Sequence, residues 1–181
     1  HVAARSGFKV ILHDLGQRLL DQALSTIARN LDREIAKGKI SGDDKKLTLS
    51  RIVSTQDSAP LAGTDFVIEA VTEDFETKAK VFQRLDTITR PDVILASNTS
   101  SISITKVASK TTRPDKVIGM HFMNPVPVME LVEIVRGLGT SDETCQATKE
   151  LAQSLGKTPV EVNDFPGFVS NIETYWEEPS F

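Results

Sequence analysis

Apolar residues recur along the chain with two different spacings. Between residues 16 and 38, leucine, isoleucine and alanine return at three- and four-residue steps, which predicts an amphipathic helix that ends at Gly38. A similar pattern over 141–155, with Ser141 as its cap and Gly156 after it, predicts a second such helix. Short apolar runs between these segments predict strands. The chain therefore reads as an α/β protein with a doubly wound, mostly parallel sheet.

The apolar runs are bounded by turn residues, and each predicts one strand. The predicted strands cover residues 8–14, 52–54, 65–71, 93–97, 116–122, 131–135 and 158–162. Further helical segments are predicted at 1–6, from Ser41, at 59–62, at 72–86 and at 102–109. The run DFVIEAV at 65–71 is expected to be a buried parallel strand.

Polar groups follow directly after several of these apolar runs. The run SNTSS at 97–101 follows a strand, and His121 follows the strand residues VIGM. Groups just beyond the carboxyl ends of parallel strands point into the ligand crevice of such sheets. Glu133 lies within the run LVEIV, where a carboxylate must find a partner or shift its pKa. A buried glutamate beside a histidine fixes its tautomer, so the pair predicts a proton-transfer site.

Each of these residues also has a simpler interpretation. A lone histidine is more often a packed core or surface residue than a catalyst. Glu133 alone would suit a solvent-facing position on an outer strand, and SNTSS alone is a turn signal. The combination favours chemistry, because Asn124 and Pro125 predict a sharp turn directly after the histidine.

Composition narrows the classes of protein. Hydrophobic residues make up 39% of the chain and charged residues 25%, as in an ordinary globular domain. The net charge of −4 argues against nucleic acid or an anionic membrane as a partner. No apolar run has the length of a membrane span. The single cysteine, Cys145, suits a reducing compartment, so we expect a cytoplasmic protein, with the mitochondrial matrix or peroxisome as alternatives.

Three long segments together resemble one family. SNTSS, GMHFMNPVPVMELVEIV and DFPGFVSN resemble the 3-hydroxyacyl-CoA dehydrogenases, and within them the bacterial-type 3-hydroxybutyryl-CoA dehydrogenases. The resemblance runs from about Ser6 to Asn171 and implies a Rossmann-type NAD-binding domain over 1–165. Residues 166–181 would begin the connection to a helical C-terminal domain, with an atypical tail from 172. The family's first strand and Gly-rich phosphate loop would precede residue 1, so we expect a chain truncated at both ends.

The resemblance also implies a reaction. It is the NAD-dependent oxidation of the 3-hydroxyl of a short-chain 3-hydroxyacyl-CoA to a 3-ketoacyl-CoA, as in fatty acid β-oxidation or butyrate metabolism. His121 would be the general base, and Glu133 would orient it. Ser100 and Asn171 would hydrogen-bond to the reacting oxygens of the substrate.

The resemblance assigns a set of positions to the cofactor. Asp14, at the end of the first predicted strand, would accept hydrogen bonds from the adenosine ribose and exclude a 2′-phosphate, which favours NAD over NADP. The same residue equally suits capping of the next helix. The other implied cofactor positions are Ala70, Glu73, Lys78, Asn98, Ser100 and Asn124. Glu73 also reads as an acid in a first helical turn, and Lys78 as a surface charge.

The substrate and partners are implied in the same way. Asn30, Lys37 and Ser100 would contact the CoA ester, although a solvated helix face explains the first two equally well. The family implies a homodimer formed through the C-terminal domain, and no metal site is predicted. Two other functions remain open: a non-catalytic fragment that binds a nucleotide or CoA, and a different dehydrogenase built on the same sheet.

Overall fold

The computed structural model describes residues 1–164. They form two compact units, one from His1 to Ala62 and one that begins at Gly63. The helices are α1 (Val2–Arg5), α2 (Gln17–Ala36), α3 (Gly42–Ser50), α4 (Phe75–Ile88), α5 (Ile104–Ala108) and α6 (Asp142–Ser154). The strands are β1 (Val10–His13), β2 (Ile52–Thr55), β3 (Phe66–Glu69), β4 (Ile94–Ser97), β5 (Val117–Phe122), β6 (Leu131–Arg136) and β7 (Thr158–Asn163).

The first unit is a parallel pair of strands with three helices. β1 and β2 pair in register from Val10 with Ile52, and the apolar stripe of α2 buries Leu20 and Leu31 completely. α1 ends before Gly7, whose φ of +103° suits a residue without a Cβ. Ser41 and Asp44 form a reciprocal capping box at the start of α3, since each side chain accepts the other's backbone N–H.

The second unit contains a five-stranded sheet in the order β3-β4-β5-β6-β7. Neighbouring strands are parallel except β5 and β6, which are antiparallel. The carboxyl ends of β3, β4 and β5 therefore meet along the same side of the sheet. The predicted α/β fold with a mostly parallel sheet is confirmed.

The core of this unit lies on β4, β5 and β6. Their side chains Leu95, Ile118 and Ile134 are fully buried, and Phe82 of α4 packs into the same interior. The prediction that residues 65–71 form a buried strand is wrong in part, because β3 is shorter and its Ile68 remains 39% exposed. Among the described residues, β3 pairs with β4 and with no other strand. None of the helices within residues 1–164 is long and apolar enough to cross a membrane.

Candidate active site

His121 and Glu133 face each other on neighbouring strands. They are register partners in the antiparallel pair β5–β6, and His121 Nδ1 lies 2.8 Å from Glu133 Oε2. The Glu133 carboxylate is 2% exposed, and β6 lies between β5 and β7, so the alternative of a solvent-facing glutamate on an outer strand is wrong. A carboxylate on Nδ1 favours the tautomer with the proton there, which leaves Nε2 as the basic nitrogen. The pair is therefore suited to take a proton on Nε2.

Asn98 connects the ends of the three parallel strands. Its backbone N–H donates to the carbonyl of Glu69 at the end of β3 at 2.8 Å. Its side-chain Oδ1 accepts the N–H of Phe122, the residue after His121, at 2.9 Å. These bonds fix the position of the histidine relative to the residues that follow β4.

The turn after β4 is organised around the Glu73 carboxylate. Glu73 Oε1 accepts hydrogen bonds from the Thr99 hydroxyl at 2.5 Å, the Ser100 N–H at 3.0 Å and the Ser101 N–H at 3.2 Å. The Ser100 hydroxyl lies 3.4 Å from the same oxygen. Burial would raise the pKa of Glu73, but the hydrogen bonds from Thr99, Ser100 and Ser101 and the charge of Lys78 lower it overall. Glu73 thus remains ionised, and its carboxylate holds Ser100, the serine predicted to bind the substrate, in place.

A fully buried ion pair lies beneath this turn. Lys78 of α4 is 0% exposed, and its Nζ donates to Glu69 Oε1 at 2.8 Å and lies 3.5 Å from Glu73 Oε2. Glu69, 4% exposed, also accepts the Val71 N–H at 2.6 Å and the Ser97 hydroxyl at 2.7 Å. The alternative interpretation of Lys78 as a surface charge is therefore wrong.

Asp164, the last described residue, binds the start of α5. Its carboxylate accepts the Ser103 hydroxyl and the N–H groups of Ile104 and Thr105 at 2.8 to 2.9 Å. Burial would raise the pKa of Asp164, but these hydrogen bonds lower it overall. The bonds connect the end of β7 to the segment just after Ser101.

Asn124 follows β5 in an exposed loop, and the Asn124–Pro125 peptide is cis. The Nζ of Lys157 donates to the carbonyls of Val126 and Met129 at 2.5 and 2.7 Å, which supports the loop from the side of β7. Ala70 is exposed directly after β3. Asn171, the remaining predicted catalytic residue, lies outside the described residues, as does the tail from 172.

The remaining predicted positions belong to the first unit. Asp14 follows β1, and its Oδ1 accepts the Gly16 N–H at 2.9 Å. Gly16 is the N-cap of α2, so Asp14 is not the N-cap itself but binds the backbone of the capping residue. Asn30 lies on α2, where its Oδ1 accepts from Arg33 at 3.4 Å, and Lys37 is the exposed C-cap of the helix.

Comparison with known proteins identifies the family. A family model described as the NAD binding domain of 3-hydroxyacyl-CoA dehydrogenase matches residues 1–165. The chain belongs to this family. A probable 3-hydroxybutyryl-CoA dehydrogenase of Deinococcus radiodurans is 50% identical over 170 residues, which cover 94% of this chain and 61% of that protein.

Other members of the 3-hydroxyacyl-CoA dehydrogenase family also match this chain. The crystal structure of (S)-3-hydroxybutyryl-CoA dehydrogenase from Ralstonia eutropha matches with a TM-score of 0.91 and 47% identity, covering 93% of this chain and 59% of that one. The 3-hydroxyadipyl-CoA dehydrogenase of Escherichia coli is 41% identical over 94% of this chain and 36% of its own length. The chain spans about three fifths of the length of the Deinococcus and Ralstonia relatives.

Two residues of this dehydrogenase domain were missed by the sequence reasoning. Glu69 is an acid within an apolar strand, which is the signal that singled out Glu133. Asp164 opens the segment DFPGFVSN, but nothing local indicates that its carboxylate binds residues 103–105. The first could have been found from its sequence context, and the second required the fold.

Proposed function

We propose that this chain forms the cofactor-binding half of an NAD-dependent 3-hydroxyacyl-CoA dehydrogenase that oxidises a short-chain 3-hydroxyacyl-CoA to its 3-ketoacyl-CoA. The observation that carries the proposal is the part-buried His121–Glu133 pair, with Nδ1 and Oε2 2.8 Å apart, at the side of the sheet where β3, β4 and β5 end. Family membership supports the same reaction class.

His121 Nε2 takes the proton of the substrate 3-hydroxyl as a general base. Glu133 accepts the hydrogen of Nδ1, so the imidazolium that forms is stabilised by a carboxylate that is already in contact with it. Ser100 positions the substrate oxygen, and the Glu73 carboxylate holds Ser100 in turn. Asn171 contributes a second hydrogen bond to the reacting oxygens. NAD, when bound, supplies the acceptor for the hydride that leaves C3.

The donors and acceptors of the described residues fit NAD. In the first unit, Asp14 offers a carboxylate after β1, the position that suits the adenosine ribose hydroxyls. In the second unit, the exposed Ala70 and the part-exposed Glu73 carboxylate follow β3, and Asn98 and Asn124 follow β4 and β5. We assign Glu73, and through it the buried Lys78, to the nicotinamide end of the cofactor, because Glu73 binds Ser100, which positions the substrate oxygen, and proton and hydride leave the same carbinol group.

The names of the relatives support a substrate with a short acyl chain. The proteins of Deinococcus and Ralstonia are named for 3-hydroxybutyryl-CoA, while the Escherichia coli relative is named for 3-hydroxyadipyl-CoA. We propose that Asn30 and the exposed Lys37 contact the CoA portion of the substrate. The flexible ammonium of Lys37 suits the phosphate groups of CoA. The homodimer stays a prediction, which sedimentation of the protein would test.

The test combines binding and turnover. NADH binding is measured by fluorescence titration, and oxidation of 3-hydroxybutyryl-CoA is followed by NADH absorbance. We expect His121→Ala to lower kcat by about 10²–10⁴-fold, the usual contribution of a general base, and to leave the dissociation constant of NADH unchanged. Normal turnover by His121→Ala would refute the assignment. NADH binding without turnover by the unaltered protein would favour the non-catalytic alternative.

A further inference from the structure

We propose that Glu69 is a positioning residue that balances the charge of Lys78, so that the site accepts the positively charged ring of oxidised NAD as readily as the neutral ring of NADH. The inference rests on the proposed function and deepens it. Neither the resemblance nor the comparisons assign a role to Glu69.

Both carboxylate oxygens of Glu69 accept hydrogen bonds. Oε1 accepts from Lys78 Nζ at 2.8 Å and from the Val71 N–H at 2.6 Å, and Oε2 accepts from the Ser97 hydroxyl at 2.7 Å. Both oxygens are thus occupied by donors from β4, α4 and the segment after β3. A carboxylate that is 4% exposed with three donors is held in one orientation.

Lys78 depends on neighbouring carboxylates for its counter-charge. Lys78 is 0% exposed, so its ammonium has no water to solvate its charge. Its remaining contacts are the Val71 carbonyl at 3.3 Å and Glu73 Oε2 at 3.5 Å, both longer than the contact with Glu69. Glu73 is shared with the turn 99–101, to which its other oxygen is bound. Glu69 is therefore the closest counter-charge of Lys78 and leaves Glu73 available to the turn.

The nicotinamide ring carries a positive charge in NAD⁺ and none in NADH, and the proposed site places it near Lys78. Lys78, Glu69 and Glu73 together carry one net negative charge, and loss of the Glu69 charge would leave Lys78 paired with Glu73 alone and the cluster neutral. The oxidised ring would then lose an attraction that the reduced ring does not feel. For charges several ångströms apart in a partly buried site, this loss corresponds to roughly a tenfold change in a binding constant. A purely structural role for Glu69 predicts no such difference between the two forms.

The experiment measures the ratio of dissociation constants, NAD⁺ over NADH, on the purified protein. NADH is titrated by its fluorescence and NAD⁺ by competition against it. We expect Glu69→Gln, which keeps the size and the hydrogen-bonding oxygen, to raise the ratio by about tenfold. Adding Lys78→Met to this variant leaves Glu73 as the charged member of the cluster, which restores one net negative charge and should return the ratio to within about threefold of the unaltered protein.

Ser97→Ala is the matched control. It removes a hydrogen bond from Glu69 but no charge, so it should lower thermal stability and leave the ratio unchanged. An equal loss of affinity for both forms in Glu69→Gln would overturn the proposal. If Glu69→Gln does not fold, the variant that carries both Glu69→Gln and Lys78→Met provides the test. A ratio of its dissociation constants far from that of the unaltered protein would also overturn the proposal. Absence of NADH binding by the unaltered protein would refute the proposed function itself, and this inference with it.

Discussion

The side-chain Oδ1 of Asn98 accepts the backbone N–H of Phe122 at 2.9 Å. Since Phe122 follows His121, the position of the proposed base depends on a side chain from the neighbouring strand end. The N–H of Asn98 in turn donates to the carbonyl of Glu69. Asn98 therefore links the ends of β3, β4 and β5 through these two hydrogen bonds.

Asn98→Ala should lower kcat by about ten- to a hundredfold, because the Phe122 N–H loses its acceptor and His121 is displaced relative to the substrate. Asn98→Asp keeps an acceptor oxygen at the same place and should retain more of the activity. Steady-state oxidation of 3-hydroxybutyryl-CoA measures both variants. Equal losses in the two variants would contradict the positioning role of this hydrogen bond.

Glu133→Gln should lower kcat by about 10²–10⁴-fold, because an amide does not stabilise the imidazolium and permits the wrong tautomer. The exposed Glu130 lies on the adjoining loop, and Glu130→Gln is the matched control, with activity expected to remain unchanged. Turnover numbers at saturating substrate compare the two variants. Similar turnover numbers for Glu133→Gln and Glu130→Gln would show that Glu133 contributes only to packing.

Asp164 should contribute stability that depends on pH. Its pKa in the folded protein is lowered, so its stabilising hydrogen bonds are fully present above the unfolded-state pKa of about 4 and are lost as the pH falls through the folded value. Asp164→Asn should therefore lower the free energy of unfolding by about 1–3 kcal/mol at pH 7, and by progressively less below about pH 4.

Urea unfolding at several pH values measures this difference for Asp164→Asn. Glu76→Gln, an exposed acid in the first turn of α4, is the control and should show a much smaller effect. A difference for Asp164→Asn that stays constant from pH 7 down to pH 3 would argue against the charged hydrogen bonds as its cause.

Gly119→Ala should destabilise the second unit. An added Cβ on this residue of β5 would lie 2.7 Å from Val135 Cβ and 3.1 Å from Ile104 side-chain atoms. Overpacking of this kind costs about 1–3 kcal/mol, which urea unfolding detects. Gly42→Ala is the control, because its Cβ meets nothing within 4 Å and alanine favours the first turn of α3. If Gly119→Ala were as stable as Gly42→Ala, β5 would have moved enough to accommodate the added methyl group.

The strands and helices could be predicted because their apolar patterns are local. Glu133 could be singled out because its partner lies on an adjacent strand close in sequence. The burial of Lys78 could not be predicted, since a lysine in a helix usually lies at the surface. Its burial depends on Glu69, nine positions earlier in a different element.

Other parts of the site depend on contacts between distant segments. Asp164 binds residues about sixty positions earlier in the chain, and no local pattern encodes such a pairing. The exposure of Ile68 depends on which elements cover its face of the sheet, and the local sequence does not determine that. The sequence therefore predicts the elements and the His–Glu pair well, but not the side chains that position them.

The strand reversal between β5 and β6 has a consequence for how the pair assembles. His121 and Glu133 are twelve residues apart, so their contact requires closure of a short loop and no crossover helix. The entropy of that closure is small compared with that of the parallel pairings around it. The proton-transfer pair is thereby contained in one short hairpin-like stretch, whereas Asn98 and Ser100, which position the histidine and the substrate, come from another strand end.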